Sequence, residues 1–457
     1  MSLNDTPVAN RLQIGFFGTA NAGKSSLINC IAGQEVSVVS NKKGTTTDPV
    51  IKTMELGELG PVVLIDTPGL DDDTEIGALR IKRTNDIFNR IDLAVVVIDA
   101  GALSLRGVSL PDLTDILSWI VPGKGGASEI TGLSDEALTD RKKIICIKDF
   151  INKCKDHKKP YVLAVNKSDL FNSFTEDKKR LPAGDTPVIM VSAAAGAGIE
   201  ELKAEIIKTG KSLKTNRDQK LVSDLISPGD SVILVIPIDK AAPAGRIILP
   251  QQQVIRDILD AGGNAICIRD SELEEFFETI VYASKEGSVS SSVFKPALVI
   301  TDSQVFKKVS DIVPEEIPLT SFSILMARFK GTLPQQVTGA RAIDLLEDGD
   351  TVLIAEGCTH HKTCEDIGTV KLPNMLKKHT GKDVFIETSS GHGYPEDLDK
   401  YKLILHCGGC MLGESEVKSR INRAVEAKVP VVNYGVAMAY MSGILKRSIE
   451  PIPEISM

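Results

Sequence analysis

Residues Gly18-Thr-Ala-Asn-Ala-Gly23-Lys24-Ser25 match G-x-x-x-x-G-K-[ST], follow a strand-like run (RLQIGFFG) and open a helix-like one. No other feature restricts the fold so strongly. In this setting successive backbone N–H groups curl around phosphate oxygens, and the helix N-terminus adds a favourable field. Lys24 is expected to reach the β- and γ-phosphates, and the Ser25 hydroxyl to ligate Mg²⁺. Gly18, Asn21, Ala22, Gly23 and Ser26 complete the loop. The pattern implies a nucleoside triphosphate but not which base. The surrounding 210 residues alternate buried strand-like runs (PVVLIDTPG, DLAVVVIDA, YVLAVNKSD, TPVIMVSA) with helical stretches such as Ser25–Ala32 and Leu79–Arg90. That alternation predicts a doubly wound P-loop α/β domain.

Three further segments specify the base and the class. Asp66-Thr-Pro-Gly69 ends a strand; Asp66 is expected to hold Mg²⁺ through water, and the Gly69 N–H to sense the γ-phosphate. Asn166-Lys167-Ser168-Asp169 ends another. The Asp169 carboxylate can accept from guanine N1–H and the exocyclic amine, a donor pair that adenine lacks. Asn166 would brace this loop, and the Lys167 stem would cover a face of the base. Ser192-Ala-Ala194 would bring a backbone N–H, that of Ala193 among them, near guanine O6. Four motifs in this order indicate a GTP-hydrolysing domain of the translation-factor-like class, binding GTP and GDP.

The segment Gly44-Thr45-Thr46-Thr47-Asp48 resembles the switch of the Era/TrmE branch of GTPases. That resemblance makes Thr46 the Mg²⁺-binding threonine, with Thr47 as the alternative register. Leu70 follows the glycine of Asp-Thr-Pro-Gly, where many GTPases carry a water-orienting glutamine. Leucine cannot orient water, so hydrolysis is expected to be slow. In the resembling branch an asparagine at position 21 goes with potassium stimulation. A K⁺ held there would supply the charge that an arginine finger otherwise brings.

At 457 residues the chain exceeds one ordinary core. A net charge of −8 argues against a general nucleic-acid or membrane-surface role. No run of about 20 apolar residues occurs, and the start lacks a basic segment followed by an apolar one, so a cytoplasmic location is expected. We divide the chain into a GTP-binding domain at 1–210, with an insertion at about 101–145, and two smaller α/β units at 220–335 and 340–457. Lys208–Lys220 reads as the linker between the first two. Of eight cysteines, Cys30, Cys146, Cys154 and Cys267 sit among apolar residues and are expected in cores.

The remaining cysteines gather with histidines. Cys358-Thr-His360-His361 and His406-Cys407-Gly-Gly-Cys410 each end a strand-like run, which sets them at the carboxyl edge of a sheet. Three of the six histidines fall in these two segments. Such a set suits structural zinc or an iron–sulfur cluster, and spacing alone does not choose between them. Cys364 is a weaker candidate.

A GTPase of the Era/TrmE type followed by two small α/β units and C-x-H … H-C-x-x-C resembles the HydF family of FeFe-hydrogenase maturation GTPases. The resemblance covers essentially the whole chain apart from the insertion. It implies a 4Fe–4S cluster on Cys358, Cys407 and Cys410, with His360 and His406 at or near an open fourth iron position. It also implies a middle dimerisation domain and a homodimer or higher homo-oligomer. The family accepts a di-iron subcluster precursor made with two radical-SAM maturases and passes it to apo FeFe-hydrogenase. The other reading, an Era/TrmE-like GTPase acting on ribosome or tRNA with structural zinc, has less support. Residues 340–457 hold 14 Lys/Arg against 17 Asp/Glu, which gives no cationic surface for nucleic acid.

Overall fold

The computed structural model describes residues 8–33, 50–71, 75–103, 117, 120, 141–170, 180–183, 186–215, 221–238, 247–282, 294–357 and 367–455. Thr46, Thr47, most of the insertion, Cys358, His360, His361 and Cys364 lie outside the described residues. By internal contacts the chain forms two units, Met1–Asp218 and Gln219–Met457.

In the first unit, β1 (Leu12–Gly18), β2 (Ile51–Glu55), β3 (Pro61–Asp66), β4 (Leu93–Asp99), β5 (Tyr161–Asn166), β6 (Arg180–Ala183) and β7 (Thr186–Met190) form one sheet. Its order is β2-β3-β1-β4-β5-β7-β6. The five inner strands run parallel. β2 and β6 pair antiparallel at the two edges. Sequence patterning finds the inner strands because both their faces are covered. Leu12, Ile14 and Phe16 pack with helices Lys24–Ala32 and Ile199–Thr215, through Leu27, Ile31, Leu202 and Ile206. Phe17, Val63 and Ile65 pack with helices Glu75–Arg90 and Arg141–Asp156, through Phe88, Ile147 and Phe150. Phe17 stacks on Phe150 at 4.4 Å between centroids, and Phe88 meets Phe150 edge-on at 5.6 Å. Each such ring is worth about 1.5–3 kcal/mol of burial. The edges escape patterning: IKTME in β2 is half-exposed, and RLPA in β6 carries a proline that only an edge tolerates.

The helix Ile199–Thr215 runs through much of the expected linker Lys208–Lys220. Leu213 packs against the core, and Gly210 lets the helix sit directly on Leu12 and Leu59. Tertiary contact therefore extends a helix whose local sequence is polar.

The second unit contains two all-parallel sheets. β8 (Ser231–Val235), β9 (Asn264–Ile268), β10 (Leu298–Thr301) and β11 (Leu319–Ser321) take the order β11-β10-β8-β9. β12 (Thr351–Ala355), β13 (Phe385–Ser389), β14 (Leu403–His406) and β15 (Val431–Asn433) take the order β13-β12-β14-β15. The two share a core: Val235, Val299 and Leu319 of one cluster with Ile354, Leu405 and Val432 of the other. The apolar helix Tyr434–Met441 is part of that core. Cys154 is buried and Cys30 and Cys146 are half-buried, but Cys267 is exposed, against expectation. It lies on β9, an edge strand whose residues are exposed or only half-buried. On the helical segments after β8 and β9, Val254, Ile258 and Phe277 are core, whereas Leu259 faces outward.

Candidate functional site

Strand register gathers the first site. Phe16 aligns with Asp66, Gly18 with Val97, and Asp99 with Asn166, so the loops after β1, β3, β4 and β5 open at one sheet edge. Gly18 is required there, because a side chain would collide with the Val97 carbonyl. Gly23 has φ +86°, and a Cβ on it would run into Asn166 Nδ2. Lys24 is buried and its Nζ donates to Gly18 O (3.1 Å) and Thr19 O (2.9 Å). Burial pulls its pKa down, and Asp66 and Asp71 oppose that. Ser25 Oγ donates to Asp66 Oδ2, while Asp66 Oδ1 is buried with no hydrogen-bond partner. A hydroxyl beside a carboxylate with a spare buried oxygen is a hard-oxygen set that suits Mg²⁺.

Gly69 packs directly on the phosphate loop, where an added Cβ would lie 2.9 Å from Ala20 N. Leu70 N donates to Gly18 O (3.1 Å), and the Leu70 side chain packs against the aromatic core of the unit. It therefore points away from the loop it follows. Asp71 was not singled out by the motifs, yet its Oδ1 accepts the Ala20 N–H at 2.7 Å. The only available signal was adjacency to Leu70. Asn21 is exposed, with φ 60°.

The third loop is braced by one side chain. Asn166, 2% exposed, donates from Nδ2 to Ala22 O (2.9 Å) and accepts the Ala193 N–H at Oδ1 (3.1 Å). It ties the phosphate loop to the Ser192-Ala-Ala194 segment. Lys167, at φ 64°, pairs with Asp99 Oδ2 at 2.7 Å, and Asp99 Oδ1 accepts the Gly101 N–H. Sequence reasoning missed Asp99, which has no motif of its own. Asp169 is exposed and its Oδ1 accepts from Ser192 Oγ. Ser192 Oγ in turn accepts the Ala195 N–H at 3.1 Å. Ser26 is exposed on the first turn of its helix. The result is a rigid rim with one carboxylate presented outward.

A second site lies at the carboxyl edge of the β13-β12-β14-β15 sheet. Ala355 of β12 aligns with His406 of β14, so the chain enters both cysteine segments side by side. Cys407 Sγ accepts two backbone N–H groups, from Gly357 (3.0 Å) and Gly409 (3.3 Å). Gly357 immediately precedes Cys358 in sequence. Burial pushes both the Cys407 and Cys410 thiols up, and the two N–H groups oppose this at Cys407. Gly409 has φ +60°, the left-handed turn that closes Cys407-Gly-Gly-Cys410.

His406 is 1% exposed and donates from Nδ1 to Cys407 O at 2.6 Å; its Nε2 is buried with no partner. Burial and the nearby Arg420 lower its pKa to about 4, so the imidazole is neutral with a lone pair at Nε2. His406 and Cys407 occupy opposite faces of the sheet. Ile404, on the His406 face, packs under helix Glu414–Glu426, whereas Cys407 packs against the core shared by the two sheets. Among the described residues no three His, Cys, Asp or Glu side chains form a metal site, and Cys358 and His360 are outside them. Two thiols with N–H···S support nonetheless fit an iron–sulfur cluster, and the His406 ring, though on the other face, reaches the cysteine loop, its Cε1 3.7 Å from where a Gly409 Cβ would stand.

Three family models match separate stretches of the chain. Residues 13–167 match the model described as 50S ribosome-binding GTPase. Residues 221–331 match the hydrogen maturase F dimerization domain, and 334–451 the hydrogen maturase F tetramerization domain. The chain is 31% identical over 207 residues to the tRNA modification GTPase MnmE of Cupriavidus pinatubonensis, covering 43% of this chain and 37% of that protein. It is 28% identical over 223 residues to the GTPase Der of Kosmotoga olearia, covering 48% and 43% respectively. It thus spans less than half the length of these curated relatives. The G domain of the Thermotoga maritima FeoB iron transporter superposes with a TM-score of 0.28 at 19% identity, over 44% of this chain and 98% of that one. No helix of the described residues is long and apolar enough to cross a membrane. A GTPase domain is joined here to dimerization and tetramerization domains of one maturase, and the chain belongs to the hydrogen maturase F (HydF) family.

Proposed function

We propose that the chain hydrolyses GTP in its first unit and carries a 4Fe–4S cluster in its second. In this reading it receives a di-iron subcluster precursor from radical-SAM maturases and transfers it to apo FeFe-hydrogenase. Cys358, Cys407 and Cys410 hold the cluster, and His360 and His406 stand at or near its fourth iron. The observation that carries this is Cys407 Sγ, held by the N–H of Gly357 beside Cys358 and by that of Gly409. Such N–H···S contacts spread thiolate charge and stabilise iron–sulfur ligation. When bound, a cluster with three thiolates supplies an iron able to take and release a bridging ligand. The chain's own part is to hold the thiolates at a sheet edge and exclude competing ligands. Three domains, 1–210, 220–335 and 340–457, divide the work of switching, dimerisation and cargo holding.

At the nucleotide, Lys24 neutralises the phosphates, and Ser25, Thr46 and Asp66 organise Mg²⁺. Gly69 senses the γ-phosphate, and Asp169 selects guanine. Leu70, packed against the core, leaves water orientation unassigned, so K⁺ at Asn21 supplies the missing charge. GTP hydrolysis is expected to run faster in KCl than in NaCl at equal ionic strength. Asn21→Ala should erase the difference, and equal wild-type rates in both salts would contradict the K⁺ assignment.

The whole reading is tested by activation. The anaerobically purified chain, incubated with the two maturases, should make apo FeFe-hydrogenase evolve hydrogen. No activation under conditions where the GTPase turns over would overturn the carrier role.

A further inference from the structure

Lys330 follows helix Phe322–Phe329, inside the segment that matches the dimerization domain. Its side chain leaves that segment and ends beneath the cysteine loop of the other sheet. Nζ donates to Gly409 O and to Leu412 O (3.2 Å), the carbonyls that flank Cys410. The residue is 5% exposed. Among the described residues it makes no ion pair with a carboxylate. Burial lowers its pKa to about 8, and the nearby Cys410 and Cys407, then Glu414 and Glu416, oppose that.

A buried ammonium without a counter-ion is costly. Two carbonyls satisfy two of its protons but carry no charge. The missing anion is the thiolate pair, or the cluster those thiolates hold. Two residues earlier the chain is anchored: the Arg328 guanidinium bridges Asp224 and Glu454 and donates to Leu221 O. The ammonium is therefore delivered from a fixed point.

We infer that Lys330 is a positioning residue for the cluster, fixing the Cys407–Cys410 loop through two carbonyls and offsetting the negative charge of thiolate-bound iron. The cluster pocket then draws on both C-terminal segments, and neither builds it alone. This inference rests on the iron–sulfur reading above.

Three variants of the full chain separate the two contributions: Lys330→Met removes charge and donors, Lys330→Gln keeps a donor without charge, and Lys330→Arg keeps charge. Each is reconstituted anaerobically with iron and sulfide. The readouts are the reduction midpoint by EPR-monitored titration and the rate of iron loss to a chelator. Circular dichroism and the thermal melt of each full chain before reconstitution report folding of the unit that holds Lys330.

A cation near a cluster favours its reduced, more negative form. Lys330→Met should shift the midpoint to more negative potential and speed iron loss by roughly tenfold or more. Lys330→Gln should show the potential shift with slower iron loss than Lys330→Met, and Lys330→Arg should restore the wild-type potential. If Lys330→Met does not fold, Lys330→Gln carries the test through its potential alone. Wild-type potentials in both neutral variants would reduce Lys330 to a loop staple and overturn the inference. A wild-type chain that binds no iron would instead sink the iron–sulfur reading on which it depends.

Discussion

Asp169→Ala is expected to weaken GTP binding by at least about a hundredfold while leaving the fold intact. The carboxylate would accept two hydrogen bonds from guanine, each charge-assisted and worth about 1.5–3 kcal/mol. Losing both costs about 3 kcal/mol or more, which is the stated factor in Kd. Asp169 is exposed, so its removal opens no cavity. Its one described partner is Ser192 Oγ, which still accepts the Ala195 N–H. Asp169→Asn offers an amide where guanine needs two acceptors, and should behave similarly toward GTP. Titration with a fluorescent GDP and GTP pair measures this directly. An Asp169→Ala chain that binds GTP within a factor of about three of wild type would remove Asp169 from base recognition.

Cys407→Ser is expected to remove most cluster iron and leave GTP hydrolysis nearly unchanged. Its sulfur already accepts two backbone N–H groups, from Gly357 and Gly409, so it is prepared to hold charge as a thiolate. A serine hydroxyl is a harder, more basic donor and a poor holder of iron–sulfur clusters. The GTPase motifs all lie in the other unit, Met1–Asp218, and should not register the change. Iron retained at wild-type level in Cys407→Ser would mean that the ligand set is wrong.

The phosphate loop was legible because its chemistry is local: eight contiguous residues between a strand and a helix carry every donor it needs. The five inner strands were legible because burial on both faces writes continuous apolar runs. The edges β2 and β6 were not, since an edge strand has one face to solvent and borrows its partner from elsewhere. Helix 199–215 runs into the expected linker because Gly210 meets Leu12, nearly two hundred residues away in sequence. The same limit hid Asp71, whose partner is the Ala20 amide, and Asp99, whose partner is Lys167. Lys330 shows it most clearly: its two acceptors stand at 409 and 412, and no local pattern marks a lysine that answers them. His406 was legible as a motif member. Its burial on the face opposite Cys407 was not, because strand alternation fixes sides only once the sheet is known.

The most direct measurement of the central claim is metal analysis of the anaerobically purified and reconstituted wild-type chain beside Cys407→Ser. The wild-type chain is expected to hold about four irons and as many acid-labile sulfides, with a broad absorption near ~400 nm that Cys407→Ser largely loses. A colourless wild-type chain carrying about one zinc, and no labile sulfide, would contradict it.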